Sequence, residues 1–286
     1  MLETIAGLYG SGVSVREVRG VGGGCINETC VLTLSTGARL FLKSNSLQYE
    51  GLFSAERAGL DALRMDSGPR VPRPLAVVSD ERRQFLLLEF VESGEPVPDF
   101  WEDFGHRMAR LHHPVIGRGF GFDVDNYIGA TRQPNTPSSD WIEFFGERRL
   151  GFQINLARRE GRADRQIEIG VTSIIKRLGE LLPRPNGSST LHGDLWSGNF
   201  MCDESGHAVI IDPAVYWGHP ECDIAMTHLF GGFSSSFYHA YDEVLPQIPG
   251  FEGRIGLYNL YHLLNHLNLF GASYLPGVRE TVSRYR

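Results

Sequence analysis

The sequence predicts an α+β chain in two lobes, an antiparallel sheet with one helix followed by a mainly helical half. Three observations carry this. Residues 13–19, 29–34 and 38–43 alternate apolar and polar side chains as strands do, broken by a glycine-rich turn at 20–24 and by Ser35-Thr36-Gly37. Residues 49–65 place Leu52, Phe53, Leu60 and Leu63 at helical spacing, and Gly68-Pro69 ends that stretch. Beyond the breaker Ser93-Gly94-Glu95-Pro96, helical periodicity returns at 100–112, 140–159, 166–182, 223–230 and 256–270. A short buried strand at 85–90 closes the first part, so the expected lobes are residues 1–92 and 93–286.

Length and charge narrow the function classes. A chain of 286 residues can bury a core in each of two lobes. The formal net charge of −7 repels a phosphate backbone and argues against nucleic acid as partner. Apolar runs such as 85–88 are far too short to span a bilayer. The first residues show no basic segment leading into an apolar one, so the expected location is the cytoplasm. Cys25, Cys30, Cys202 and Cys222 form no C-x-x-C pair, which removes zinc-ribbon and thioredoxin-type readings and leaves reduced thiols.

Of the 27 basic residues only Lys43 and Lys176 are lysine. A lysine here marks a place for a compact point charge where the planar arginine fork does not serve. Lys43 stands at the expected end of the third strand, after the glycine-rich turn, where its amine can reach nucleotide phosphates. Glu56 lies four residues after Leu52 and four before Leu60, on an otherwise apolar helix face. A carboxylate there needs a partner, and Lys43 is the expected one, with Glu50 as the alternative. Gly22, Gly23 and Gly24, between two strands and ahead of Lys43, read as a lid whose backbone amides cover phosphates.

The run LHGDLWSGN at 191–199 has the H-x-D-x-x-x-x-N spacing of a kinase catalytic loop. The spacing lets one tight loop aim Asp194 at an attacking hydroxyl and Asn199 at a metal ion on the phosphates. Asp212 follows Asn199 by thirteen positions, at the end of the apolar strand AVII and before Pro213, where kinases carry a metal-binding aspartate. In order along the chain, these elements describe a protein-kinase-like fold. ATP is then expected between the lobes with adenine beside Glu89-Phe90-Val91, and Mg²⁺ held by Asn199 and Asp212. Asp223, at a helix start, reads as a brace for the catalytic loop.

The segments GGGCINET, FLKSN, AERAGLDAL, DNYIGATRQPN, DWIEFFGERRL, LHGDLWSGN and DPAVYWGHPECDIAMT resemble the fructosamine kinase family over about residues 18 to 270. Trp196 is the most discriminating position. The resemblance implies ATP-dependent phosphorylation of the 3-hydroxyl of a sugar joined to an amine, giving a less stable product that releases the amine. Trp196, Trp217, His219 and Glu221 stand as candidate substrate contacts, with an aromatic brace for the loop as the other reading of Trp196. The family often carries a cysteine in the glycine loop, linked to redox-sensitive dimerisation. Cys25 is therefore read either as a redox switch between monomer and homodimer or as a small residue fitting a tight turn. A kinase of another small alcohol, of aminoglycoside or choline type, and a non-enzymatic nucleotide-binding descendant are the competing readings.

Overall fold

The computed structural model describes residues 1–22 and 27–286. Gly23, Gly24 and Cys25 lie outside the described residues. The chain opens with α1 (Leu2–Tyr9), followed by β1 (Val15–Gly20), β2 (Glu28–Leu34), β3 (Arg39–Ser46), α2 (Leu52–Leu63), β4 (Pro74–Ser79) and β5 (Arg83–Glu89). The five strands form one antiparallel sheet in the order β1-β2-β3-β5-β4.

Strand alternation gives this sheet two apolar faces. Leu32, Leu34, Leu40, Leu42 and Leu87 pack with Ile5 of α1 on one side. Val31, Phe41, Leu86 and Leu88 turn to the other side, towards α2 and the cleft. The strand expected to end at Lys43 continues three residues further. Ser44, Asn45 and Ser46 look like a turn in sequence, but β5 supplies ladder partners for all three, so polar residues stay extended. Lys43 is thus inside the strand, and only 4% exposed.

The remainder is mostly helical: α3 (Phe100–Leu111), the small strands β6 (Val115–Ile116), β7 (Asn126–Ile128) and β8 (Thr131–Gln133), then α4 (Trp141–Phe144), α5 (Phe152–Arg159) and α6 (Arg165–Leu181). A π-helical segment, Phe145–Gly151, joins α4 to α5, where the sequence reads as one α-helix. Asp140 starts this unit as its N-cap, accepting from the backbone N–H of Ile142 and Glu143. Next come β9 (Gly187–Leu191), β10 (Phe200–Cys202), β11 (Ala208–Ile210) and β12 (Tyr216–Gly218). The chain finishes with α7 (Glu221–Thr227), α8 (Ser235–Val244), α9 (Phe251–Phe270) and α10 (Leu275–Tyr285). One apolar core runs from Leu52, Phe53, Leu60 and Leu63 of α2 through Val215 and Leu191 into the helices. Short connections at β9–β10 and β11–β12 therefore sit beneath the sheet, at the junction of the two halves.

Candidate active site

Three charged groups meet under the sheet. Lys43 Nζ donates to Glu56 Oε1 at 2.5 Å and also to Asp212 Oδ1. Burial opposes the ammonium charge, but Asp212 and Glu56 outweigh it and push the lysine pKa above its ordinary value. Burial raises the Glu56 carboxyl against the pull of Lys43, whereas Lys43 holds the half-exposed Asp212 below the usual carboxylate range. Glu50, the other candidate partner, is exposed ahead of α2 and offers its backbone oxygen to the Tyr127 hydroxyl at 2.9 Å. Asp212 has φ 55°, the one left-handed non-glycine among the described residues. Aspartate tolerates that region better than most side chains, and the bond to Lys43 helps to hold it there.

The contact between Lys43 and Glu56 has a measurable consequence. In a double-mutant cycle on kcat/KM, Lys43→Met and Glu56→Gln together are expected to lose less than the sum of their single losses. The expected coupling is about 1 kcal/mol or more; strict additivity would mean the pair does not act together.

The loop between β9 and β10 is held from below by Asp223, which fulfils the expected brace. Its Oδ2 accepts from the backbone N–H of His192 at 2.6 Å, and its Oδ1 accepts from that of Gly193 at 2.8 Å. Buried His112 also faces Asp223 through Nε2 at 3.1 Å and the Tyr241 hydroxyl through Nδ1 at 2.8 Å. His192 Nε2 donates to the Ile211 carbonyl at 2.9 Å, tying this loop to the one that carries Asp212. Gly193 has φ 82°, and a Cβ there would lie 2.0 Å from the Ala214 carbonyl oxygen, so only glycine fits.

Asp194 is presented at the top of this loop. Asn199 Nδ2 donates both to its backbone oxygen at 2.8 Å and to its Oδ2 at 3.0 Å. Oδ1 is buried and has no hydrogen-bond partner among the described residues. Burial pushes the carboxyl up to about 7, with Asn199 opposing and Asp212 and Asp223 adding.

Two cavities meet at Lys43, Glu56 and Asp212. One, of about 430 Å³, runs under the sheet past Gly22, Val31, Phe41, Leu88, Glu89, Phe90 and Val91, with Met201 and Ile211 as its floor. Glu89 is held there by Arg70 at 3.6 Å and Arg73 at 3.9 Å, and Phe90 lies under the Arg39 guanidinium at 4.4 Å. The other, of about 190 Å³, is lined by Asn27, Asn126, Tyr127, Asp194, Trp196 and, from α9, Asn265, His266, Leu269 and Phe270. Trp196 folds over Gly198, meets Phe230 edge-on at 5.5 Å and lines this second cavity, so both of its readings have support in the geometry.

Trp217, His219 and Glu221, the other candidate substrate contacts, line neither cavity. Trp217 packs edge-on against Phe122 at 5.3 Å beneath the Arg118 guanidinium at 5.1 Å. Glu221 is buried in a two-pronged ion pair with Arg254, at 2.8 and 2.5 Å. His219 stacks on Tyr258 at 6.0 Å, and burial together with Arg254 lowers its pKa to about 3. The chain around them does pass the site, but β12 and α7 turn these side chains into the core. The depressed histidine predicts acid sensitivity. The unfolded chain binds a proton there below its ordinary value of 6.5, while the folded one resists down to about 3, so stability falls as pH drops through that window. Stabilities from urea unfolding at pH 7.5 and 5 should differ by about 2 kcal/mol from this residue, and His219→Phe should remove that share of the dependence, leaving the similar share of buried His262. An unchanged slope in the variant would assign the acid sensitivity elsewhere.

Several lining residues were not singled out from sequence. Val31, Phe41, Leu88, Met201 and Ile211 form the apolar walls of the larger cavity and look like ordinary core positions. The β7–β8 hairpin holds Asn126 in a buried polar network: Asn126 Nδ2 donates to the Val215 carbonyl at 2.7 Å, and its Oδ1 accepts from Gln133 and Asn135 at 2.8 Å each. Arg149, turned inward by the π-helical segment, extends the network to Asn135 at 2.7 Å and lies 4.0 Å over the Tyr216 ring. On α9 the available signal was a polar and aromatic stripe at helical spacing.

A sheet over a helical body, with a buried lysine–glutamate pair and two carboxylates converging between two cavities, defines the class: a protein-kinase-like phosphotransferase. The comparisons with known proteins then place it. A sequence model of the fructosamine kinase family matches residues 2–285, and the chain belongs to that family. It is 42% identical to a probable ketoamine kinase of Synechocystis sp., over 99% of this chain and 94% of that one. It is 39% identical to the chloroplastic protein-ribulosamine 3-kinase of Arabidopsis thaliana, over 96% of this chain and 84% of the relative. A crystal structure from Thermobifida fusca, provisionally named a fructosamine-3-kinase, superposes with a TM-score of 0.85 at 35% identity, over 96% and 94% of the two chains. An aminoglycoside phosphotransferase shares the fold at a TM-score of 0.64 and 16% identity, covering 99% and 98%.

Proposed function

We propose that this chain is an ATP-dependent kinase that phosphorylates the 3-hydroxyl of a ketosamine, a sugar joined to an amine, in a deglycation-type repair. The observation that carries this reading is the Asp194 carboxylate, which lines the small polar and aromatic cavity that meets the larger apolar one at Lys43, Glu56 and Asp212. The larger cavity suits adenine, with Glu89, Phe90 and Val91 beside it and Gly22 in the lid above. The smaller cavity is lined by neutral amides and aromatic rings, and its carboxylates Glu56, Asp194 and Asp212 belong to the charged cluster and the catalytic loop. That lining suits a sugar with its many hydroxyls better than a polycationic aminoglycoside.

In this mechanism Asp194 accepts a hydrogen bond from the attacking hydroxyl and aligns it. Lys43, fixed by Glu56, steadies the nucleotide phosphates. Because phosphoryl transfer passes through a loose transition state, alignment and charge neutralisation contribute more than proton removal. Among the described residues no cluster of three carboxylate, histidine or cysteine groups could hold an ion unaided. With its NH₂ committed to Asp194, Asn199 has an oxygen left to offer, and Asp212 presents a half-exposed carboxylate. Two hard oxygen donors fit Mg²⁺, which takes its remaining ligands from phosphates and water. When bound, the ion would neutralise charge on the phosphates. We read residues 1–92 as the nucleotide-binding lobe, 93–286 as the catalytic and substrate lobe, and the enzyme as cytoplasmic, although the plant relatives are named chloroplastic. Redox-sensitive dimerisation through Cys25 stays a proposal about a residue outside the described ones.

The test is an ADP-release assay on ribulose-, fructose- and psicose-amines beside aminoglycosides and choline. Turnover of ketosamines alone is the expected result, and preferential turnover of an aminoglycoside or choline would replace this reading.

A further inference from the structure

His262, on α9, is 3% exposed, and its Nδ1 is a buried atom with no hydrogen-bond partner among the described residues. It faces Asp194 Oδ1, likewise buried and unpartnered, at 3.8 Å. That is too long for a hydrogen bond, and a closure of about 1 Å would make one. Buried polar atoms are seldom left unsatisfied in a folded protein, and here two of them confront each other at the reacting carboxylate.

Helical spacing explains how His262 comes to be there. Asn265, His266, Leu269 and Phe270, which wall the smaller cavity, follow it by three, four, seven and eight positions, on the same face of α9. His262 is the first member of that stripe and, like Asn265, is almost fully buried. His266 Nδ1 donates to the His262 carbonyl at 2.8 Å, which ties the two turns together.

The carboxylate has a use for a second anchor. Asn199 holds Oδ2 alone, and the terminal torsion of an aspartate is broad, so one bond leaves the plane free to swing. Each carboxylate oxygen accepts two hydrogen bonds, so a donor on Oδ1 leaves a lone pair for the acceptor hydroxyl. We propose that His262 is a positioning residue for the kinase reaction: in the loaded site its Nδ1–H closes onto Asp194 Oδ1 and fixes the carboxylate plane for the incoming hydroxyl. This rests on Asp194 being the group that receives that hydroxyl. Burial, with His266 adding, lowers the imidazole to about 3, so the ring is neutral and carries a single proton, which the proposal places on Nδ1.

Two measurements test the proposal. Histidine ¹⁵N spectra of the full chain, with His262 assigned through His262→Asn, are recorded with and without a non-hydrolysable ATP analogue, Mg²⁺ and a morpholine-linked fructosamine. The expected result is a neutral ring protonated on Nδ1 in the loaded protein; protonation on Nε2 there overturns the proposal, whether or not any variant folds. In steady-state kinetics His262→Leu should lower kcat by about 10- to 100-fold with the KM for ATP within about twofold. His262→Asn, whose amide can place a donor near the Nδ1 position, should recover most of that loss. An unimpaired leucine variant, or leucine and asparagine variants falling together, would leave His262 a packing residue. Failure of the kinase reading itself looks different: wild type would not turn over ketosamines, or Asp194→Asn would remain active.

Discussion

Asp194→Asn is expected to lower ketosamine turnover by about 10³-fold while leaving nucleotide affinity within a few-fold. The substitution keeps the shape of the side chain and an oxygen that can still accept from Asn199. What it removes is a second acceptor: with the amide oxygen turned to Asn199, an NH₂ faces the position where Oδ1 now has no partner. That group cannot accept from the attacking hydroxyl, so the nucleophile loses its alignment. Glu56 and Lys43 are untouched, and the larger cavity keeps its walls. A coupled ADP assay gives kcat, and titration with a non-hydrolysable analogue gives the affinity. Turnover within about tenfold of wild type would remove Asp194 from the role proposed for it.

Asp212→Ala is expected to weaken Mg²⁺-dependent nucleotide binding by at least about 100-fold, an effect of the size seen when a single electrostatic partner leaves an active site. The residue combines two properties that can be separated. Its charge is proposed to meet the cation, and its backbone sits at φ 55°. Asparagine tolerates the left-handed region nearly as well as aspartate, whereas alanine there costs about 1 kcal/mol more. Asp212→Asn should therefore match alanine in lost metal dependence and exceed it in melting temperature. If isothermal titration shows the same Mg²⁺ dependence in both variants as in wild type, another group holds the ion.

The charged cluster was legible in the sequence because each member announces itself locally. Lys43 is a lysine in a chain of arginines, Glu56 is a carboxylate on an apolar helix face, and Asp194 and Asn199 share a loop whose spacing serves one purpose. Tertiary structure had only to bring them together. Trp217, His219 and Glu221 show the limit of such reading. A family-like stretch identifies which segment passes the site, but β12 and α7 decide which side chains face it: His219 and Glu221 are buried and Trp217 packs partly buried against the core. His262 and the cavity-lining residues of α9 were missed for the converse reason. They stand more than sixty positions beyond Asp194, and polar residues at helical spacing carry no mark of what they will face. In the fold, the omissions were α1, which is a bare two turns, β4, which follows a proline-rich approach, α8 and α10, and the strands β6 to β10 and β12, of two to five residues each, which are too short to show a period. The α–π–α unit was read as a plain helix because its apolar pattern hides the wider turn that sends Arg149 inward.

Helix α2 does more than deliver Glu56. It contacts β4 and β5 of the sheet and, on its other side, β7 and β9 of the helical half. Gly59 permits the closest approach, since a Cβ there would stand 3.0 Å from a methyl group of Val215. Swinging this helix outward would return Leu52, Phe53, Leu60 and Leu63 to water, at roughly 1.5–3 kcal/mol for each side chain. The disassembled arrangement would then hold well under about 1% of molecules. Packed on both sides in this way, α2 keeps Glu56 against Lys43 whether or not the cleft is loaded.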